Sequence, residues 1–266
     1  MVQLLGFDNL PEDVAAQIGR VADVWKKRLQ NRLVGVYLHG SVALKAFSPL
    51  SSDLDFLIVV EDSLDIPAKL AVARDIIGLD ENPCPLEMSA VTLRDLRPWK
   101  TPGNCVFHYS GLWKARYLER LSNPGAVCPV VDREFPDPDV TSYIKLICRF
   151  GITLYGRDIP DVFSDVSDAD FWDAITAGID RYSFHDYGPR YLASNILILG
   201  RILSYKETRQ ILSKYEAGLW MARRVPEALG YLPELAVKMW YEGERHALPE
   251  EDLEKLREYL IGEIKR

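Results

Sequence analysis

Long hydrophobic runs are missing from this chain. The longest, such as Phe56–Val60 and Ile196–Gly200, are far too short to cross a bilayer. The opening stretch MVQLLGFDNLPEDV has no basic segment followed by an apolar one, so it does not read as a signal peptide, and the protein is expected in the cytoplasm. Cysteine is sparse. Cys84, Cys105, Cys128 and Cys148 stand far apart and form no Cys-x-x-Cys pair, which excludes the usual metal and redox motifs and leaves reduced, partly buried thiols. No Gly-x-x-x-x-Gly-Lys-Ser/Thr segment occurs, so the chain is not a P-loop NTPase, and no Ser or Cys triad can be built from its spacings. Basic charge is also in deficit: 32 Lys and Arg face 39 Asp and Glu, a net charge of −7. Nucleic-acid binders draw much of their affinity from neutralising phosphate, so this balance argues against such a partner and suits a cationic substrate.

What is present is an ordinary globular composition. The chain has 266 residues, 48% hydrophobic and 27% charged, enough to pack a core as one large domain or two ordinary ones. Val14, Ile18, Val21, Ala22 and Trp25 recur at helical spacing within Pro11–Leu29, and Lys26, Lys27 and Arg28 suit the end of that helix. Leu33–Leu38, Asp53–Val60 and Leu86–Thr92 read as strands, Ile66–Ile77 as a helix, and Val42–Phe47 as one or two helical turns. Proline and glycine cluster at Arg97–Gly103 and Asn123–Pro138, marking loops. From Val140 onward the helical period takes over, in Tyr143–Tyr155, Asp168–Tyr182, Tyr191–Ser204, Lys214–Val225, Tyr231–Glu242 and Glu250–Ile264. The expected fold is α/β plus α: a small mixed-sheet domain over residues 1–135, then an all-helical domain over 136–266. Trp172, Trp220 and Trp240 fall on apolar helix faces and are expected in the core.

The chemistry concentrates in HGSVALKAFSPLSSDLDFLIVV, residues His39–Val60. Side chains two apart on a strand share a face, so Asp53 and Asp55 aim at one point. Two adjacent carboxylates repel unless a cation lies between them, and hard oxygen ligands of this kind suit Mg²⁺ completed by substrate phosphates and water. Gly40 lets the backbone approach a phosphate, Ser41 can donate to it, and Ser52 beside Asp53 offers another donor. A lone Asp-x-Asp is usually a solvated strand end. These aspartates, however, interrupt an apolar strand, where unpaired carboxylates are costly. Glu87, opening the Leu86–Thr92 strand, completes the cluster if that strand lies alongside, either as a metal ligand or as a general base. His39 reads as the end of a strand and His246 as part of a polar loop. His108 and His185 could line an acceptor pocket or serve as structural histidines.

Gly-Ser followed by Asp-x-Asp resembles the hallmark of the nucleotidyltransferase superfamily. From about Val34 to Tyr241 the chain is similar in particular to the streptomycin/spectinomycin adenylyltransferases, which have a helical C-terminal domain. The residues that carry this resemblance are Leu86-Glu87, Pro98-Trp99, Leu154-Tyr155-Gly156, Leu199-Gly200-Arg201 and SKYEAGLWMARRVP at Ser213–Pro226. The resemblance implies transfer of AMP from ATP to a hydroxyl of an aminoglycoside-type small molecule, with Asp53 and Asp55 holding Mg²⁺ and Glu87 as catalytic base. It also implies that Ser41 and Ser52 meet the triphosphate, that Arg201 and Lys214 neutralise it, that Tyr241 sits by the nucleotide, and that the site lies in a cleft between two domains. No nucleic acid or membrane partner is implied. The chain departs from the family where Phe107–Lys114, FHYSGLWK, replaces a Gly-Glu-Trp-Leu segment. In Tyr182–Tyr191, a stretch linked to drug binding, Asp186 is the only carboxylate. Other readings remain alongside: a superfamily member acting on a protein or nucleic acid, or a nucleotide-binding module without antibiotic activity.

Overall fold

A computed structural model of the protein describes residues 4–184 and 188–266. In chain order the elements are α1 (Glu12–Leu29), β1 (Leu33–Leu38), α2 (Gly40–Ala43), β2 (Leu54–Val60), α3 (Ile66–Ile77), β3 (Leu86–Thr92), β4 (Gly103–Cys105), β5 (Phe107–Tyr109) and α4 (Lys114–Ser122). There follow α5 (Pro129–Asp132), β6 (Phe135–Asp137), α6 (Pro138–Phe150), β7 (Ile152–Gly156), α7 (Ile159–Val162) and α8 (Asp168–Thr176). The chain then continues through α9 (Gly188–Thr208), α10 (Lys214–Arg224), α11 (Tyr231–Tyr241) and α12 (Glu250–Lys265). Among the described residues no helix is long and apolar enough to cross a membrane.

Two compact units result. One comprises Gly6–Ala43 and Ser52–Ala174; the other comprises Met1–Leu5, Leu44–Ser51 and Ile175–Arg266. The first is built on a five-stranded mixed sheet in the order β5-β3-β2-β1-β7. Strands β2 and β3 run parallel, joined by α3, and the other pairs are antiparallel. The helix predicted at Pro11–Leu29 forms as α1. Its apolar stripe of Val14, Ile18, Val21 and Trp25 is buried, and Trp25 meets Phe107 edge-on at 5.2 Å. In β2, Phe56 to Val60 are at most 1% exposed, as expected of a strand covered on both faces. Full burial of each Leu or Ile there contributes about 1.5–3 kcal/mol.

The sequence pattern misplaces some boundaries. The helix expected over Tyr143–Tyr155 stops at Phe150, and Ile152–Gly156 becomes β7, paired antiparallel with β1. The β-branched and aromatic run Ile-Thr-Leu-Tyr finds an open sheet edge, and tertiary pairing overrides the helical period. The sheet-based unit therefore extends past residue 135, as far as Ala174. The helix expected over Asp168–Tyr182 ends at Thr176, because Gly178 adopts φ 68° and turns the chain into a short 3₁₀ segment, Ile179–Arg181. The helical turns expected over Val42–Phe47 reduce to α2, after which Phe47 pairs with Leu5. Strands β4, β5 and β6 and helix α5, three or four residues each, are too short to leave a periodic signal.

The second unit holds α9, which packs on α10, α11 and α12. α10 begins with a reciprocal cap: Ser213 Oγ accepts from the Glu216 N–H while Glu216 accepts from the Ser213 N–H. Of the three tryptophans expected in the core only Trp240 is buried. Trp172 and Trp220 remain half-buried, because their helices are less fully covered than their apolar faces suggest. All four cysteines are free thiols, three of them buried. Burial pushes Cys84 and Cys148 up to about 11 and Cys105 to about 12, so they stay protonated and inert at neutral pH.

Candidate active site

Parallel pairing of β2 with β3 sets Asp55 directly beside Glu87. In both strands the second residue is the one that is only half-buried, with buried neighbours on either side: Asp55 in β2 and Glu87 in β3. Asp53 shares the face of Asp55 by the two-residue period of a strand. Asp53, Asp55 and Glu87 each offer a carboxylate oxygen within 4.8 Å of the others, the arrangement anticipated from sequence. Three such oxygens so close repel one another in the absence of a cation. The donor set, all hard carboxylate oxygen, fits Mg²⁺.

The turn after β1 closes over this cluster. Gly40 sits at φ 63°, and a β-carbon there would stand 1.8 Å from Asp55 Oδ2, so only glycine allows the carboxylate and the turn to approach this closely. Ser41 Oγ is buried and has no hydrogen-bond partner among the described residues, as expected of a donor waiting for a ligand oxygen. Ser52, 3% exposed, immediately precedes Asp53. Gly40, Ser41 and Ser52 thus flank the carboxylates in sequence and in space, and the cradle fits a phosphate.

His39 does more than end a strand. Its backbone N–H donates to the Asp55 carbonyl at 3.0 Å, and its ring stacks on Tyr143 with centroids 4.6 Å apart. The imidazole is 3% exposed, and burial lowers its pKa to about 3, so it is neutral. Tyr143, from α6, donates its hydroxyl to Glu87 Oε1 at 3.0 Å. Burial raises the Tyr143 pKa well above the ordinary phenol value, with the Glu87 charge adding to the effect, so the hydroxyl keeps its proton. Sequence reasoning missed this residue: Tyr143 lies among the apolar positions of a helix and nothing adjacent marks it.

Farther along the same face, β5 pairs His108 with Ser89, whose Oγ lies 3.0 Å from His108 Nδ1. Burial lowers the His108 pKa, opposed by Asp137. Because Ser89 is two residues beyond Glu87, the pair shares the carboxylate face. His185 and Asp186 lie outside the described residues. His246 contacts Glu244 at 2.6 Å in a polar loop, as expected.

Arg201, Lys214 and Tyr241 belong to the helical unit. Arg201 Nε donates to the Leu212 carbonyl at 2.9 Å. Lys214 Nζ donates to Ser194 Oγ at 2.9 Å and stands 3.8 Å from the centre of the Trp240 ring. Tyr241 is buried edge-on to Tyr215, and burial raises its phenol pKa. Arg190, not singled out from sequence, faces the same Trp240 ring at 5.7 Å and donates to the Ser51 carbonyl at 2.6 Å. Two cations thus gather around one aromatic ring within this unit.

Comparison with known proteins adds to the geometry. Residues 18–103 match the family model of the nucleotidyltransferase domain. Residues 161–263 match that of the aminoglycoside adenylyltransferase C-terminal domain. A spectinomycin 9-adenylyltransferase of Enterococcus faecalis is 28% identical over 262 residues, covering 94% of this chain and 96% of that protein. One of Campylobacter jejuni is 24% identical over 217 residues, covering 79% of each. Among solved structures, a spectinomycin adenyltransferase from Enterococcus, crystallised with ATP and spectinomycin, shares the fold with a TM-score of 0.83 at 24% identity, over 95% of this chain and 99% of that one.

Proposed function

We propose that this chain, whose residues 18–103 match the nucleotidyltransferase domain and residues 161–263 the aminoglycoside adenylyltransferase C-terminal domain, moves AMP from ATP onto a hydroxyl of a spectinomycin- or streptomycin-class aminoglycoside, releasing pyrophosphate. The observation that carries this reading is the meeting of Asp53, Asp55 and Glu87 within 4.8 Å beside the Gly40 turn. A domain that only sensed a nucleotide would have no need of all three carboxylates.

In this reading Gly40, Ser41 and Ser52 cradle the triphosphate, and Arg201 and Lys214 neutralise its charge. Mg²⁺, held by Asp53 and Asp55 with Glu87 as the third carboxylate, would supply charge neutralisation and polarisation of the phosphoryl group. Glu87 takes the proton of the acceptor hydroxyl while the oxygen bonds to the α-phosphorus. The bond between the α-phosphorus and the bridging oxygen breaks, and pyrophosphate leaves with that electron pair. The protein's part is positioning and electrostatics, the usual balance in such transfers. The net charge of −7 favours a cationic acceptor over a nucleic acid. Dependence on ATP fits a cytoplasmic location.

The test is pyrophosphate release from ATP and Mg²⁺ across an aminoglycoside panel headed by spectinomycin and streptomycin, with Asp53→Ala as the blank. Release that depends on one drug and disappears in the blank is expected. Silence across the panel with ATP still bound would sink the assignment of acceptor. Glu87→Gln is expected to cut kcat by roughly 10²–10⁴-fold, the usual worth of a general base, and leave ATP affinity within a few-fold of wild type. Turnover at the wild-type rate would remove Glu87 from the role of base.

A further inference from the structure

A glutamate at a strand end turns easily about its last bond, because rotation of the carboxylate is broad and nearly two-fold. Glu87 is restrained from outside its own strand. The hydroxyl of Tyr143 reaches Glu87 Oε1 at 3.0 Å from α6, a helix 56 residues away in sequence. The Tyr143 ring is itself clamped: it stacks on His39 at 4.6 Å, and the His39 backbone is tied to the Asp55 carbonyl at 3.0 Å. One rigid aromatic pair thus links the ends of β1 and β2 to the carboxylate on β3.

We propose that Tyr143 is a positioning residue for Glu87, its donated hydroxyl fixing the rotation of the carboxylate so that an acceptor hydroxyl meets a base already aimed. The inference rests on the reading of Glu87 as the base. It assigns Tyr143 no contact with substrate. A side chain held by packing and by one directional hydrogen bond is how a catalytic group is kept within a fraction of an ångström of its working geometry.

Tyr143→Phe keeps the ring and its stack on His39 and deletes only the hydroxyl. Turnover is expected to fall by roughly 10- to 100-fold, the usual cost of losing an orienting partner, with KM for ATP and acceptor within about 3-fold. In a Glu87→Asp background, where the shorter side chain cannot keep the same hydrogen bond, the same substitution should cost less than about 3-fold. In crystals of wild type and of Tyr143→Phe, the Glu87 carboxylate should hold one orientation in the first and rotate or split in the second. Unchanged turnover, equal losses in both backgrounds, or an unmoved Glu87 in the variant crystal would each overturn the proposal. If wild type transfers nothing to any acceptor, the proposed function fails on its own, and the two crystal structures still decide whether Tyr143 orients Glu87.

Discussion

At Gly40 the backbone and the Asp55 carboxylate come so close that a β-carbon would lie 2.5 Å from Asp55 Cγ and nearer still to Oδ2. The residue is also in the left-handed region, at φ 63°. An alanine there meets two separate penalties. The left-handed backbone costs about 1–2 kcal/mol of stability. Displacement of Asp55 costs function, since shifting a catalytic group by about 1 Å is worth roughly 100-fold in rate. Gly40→Ala is therefore expected to lower kcat/KM by about 100-fold while shifting the urea midpoint only modestly. A variant with full activity would mean that Asp55 has room to move and is not held by this turn. Ser41 illustrates the same logic from the other side: a buried hydroxyl without a protein partner is a cost to the fold unless a ligand oxygen meets it.

Among the elements, β3 has the most exacting placement, because a slip of one residue against β2 would turn Glu87 to the opposite face. Its start is fixed by Asp80, whose side chain is 1% exposed. Asp80 Oδ1 accepts from the Leu86 N–H, and Oδ2 accepts from the Tyr109 hydroxyl and Lys114 Nζ, each at 2.9 Å. Gln17 of α1 braces the same loop, donating to the Leu79 and Cys84 carbonyls and accepting from the Cys84 N–H. Removal of the Asp80 carboxylate strands a buried N–H and a buried hydroxyl, and leaves the Lys114 ammonium with Glu81 alone. Asp80→Ala is accordingly expected to destabilise the protein by about 2–4 kcal/mol in urea unfolding. Activity should fall in the fraction that stays folded, because the register that aims Glu87 loses its anchor. A loss under about 0.5 kcal/mol, the usual surface value, would show that Asp80 does not hold β3 in place.

For the whole molecule the notable feature is that neither unit is continuous in sequence. Leu44–Ser51 leaves the sheet-based unit after α2 and packs within the helical one, and the chain returns at Ser52, one residue before Asp53. Within the helical unit this segment is held by Arg190, donating to the Ser51 carbonyl, and by Phe47, which exchanges backbone hydrogen bonds with Leu5. Lys45, exposed and at φ 54°, is the natural trypsin site in the segment. Proteolysis of a native loop tracks how often it opens. Arg190→Ala is expected to speed cleavage after Lys45 several-fold without lowering the thermal midpoint by more than a few degrees, followed by mass spectrometry of the first product. An unchanged cleavage rate would show that Arg190 is not what holds the segment.

Much of this protein is written locally. Asp53, Asp55 and Glu87 could be read as one cluster because strand geometry repeats every two residues, and a polar pair in an otherwise apolar strand needs a reason. α1 and α3 and strands β1 to β3 follow from periodicity, and the cap of α10 from Ser213 and Glu216 three apart. What sequence alone left undecided depends on partners far along the chain. Ile152–Gly156 is a strand only because β1 offers an unpaired edge. Asp80 anchors β3 through Tyr109 and Lys114, and Tyr143 reaches Glu87 across 56 residues, none of them marked by a neighbouring residue. Backbone stereochemistry and side-chain period act between neighbours, so they can be read from adjacent letters. Sheet edges, buried hydrogen bonds and the aim of a carboxylate are settled by packing, and packing exists only once the chain has folded.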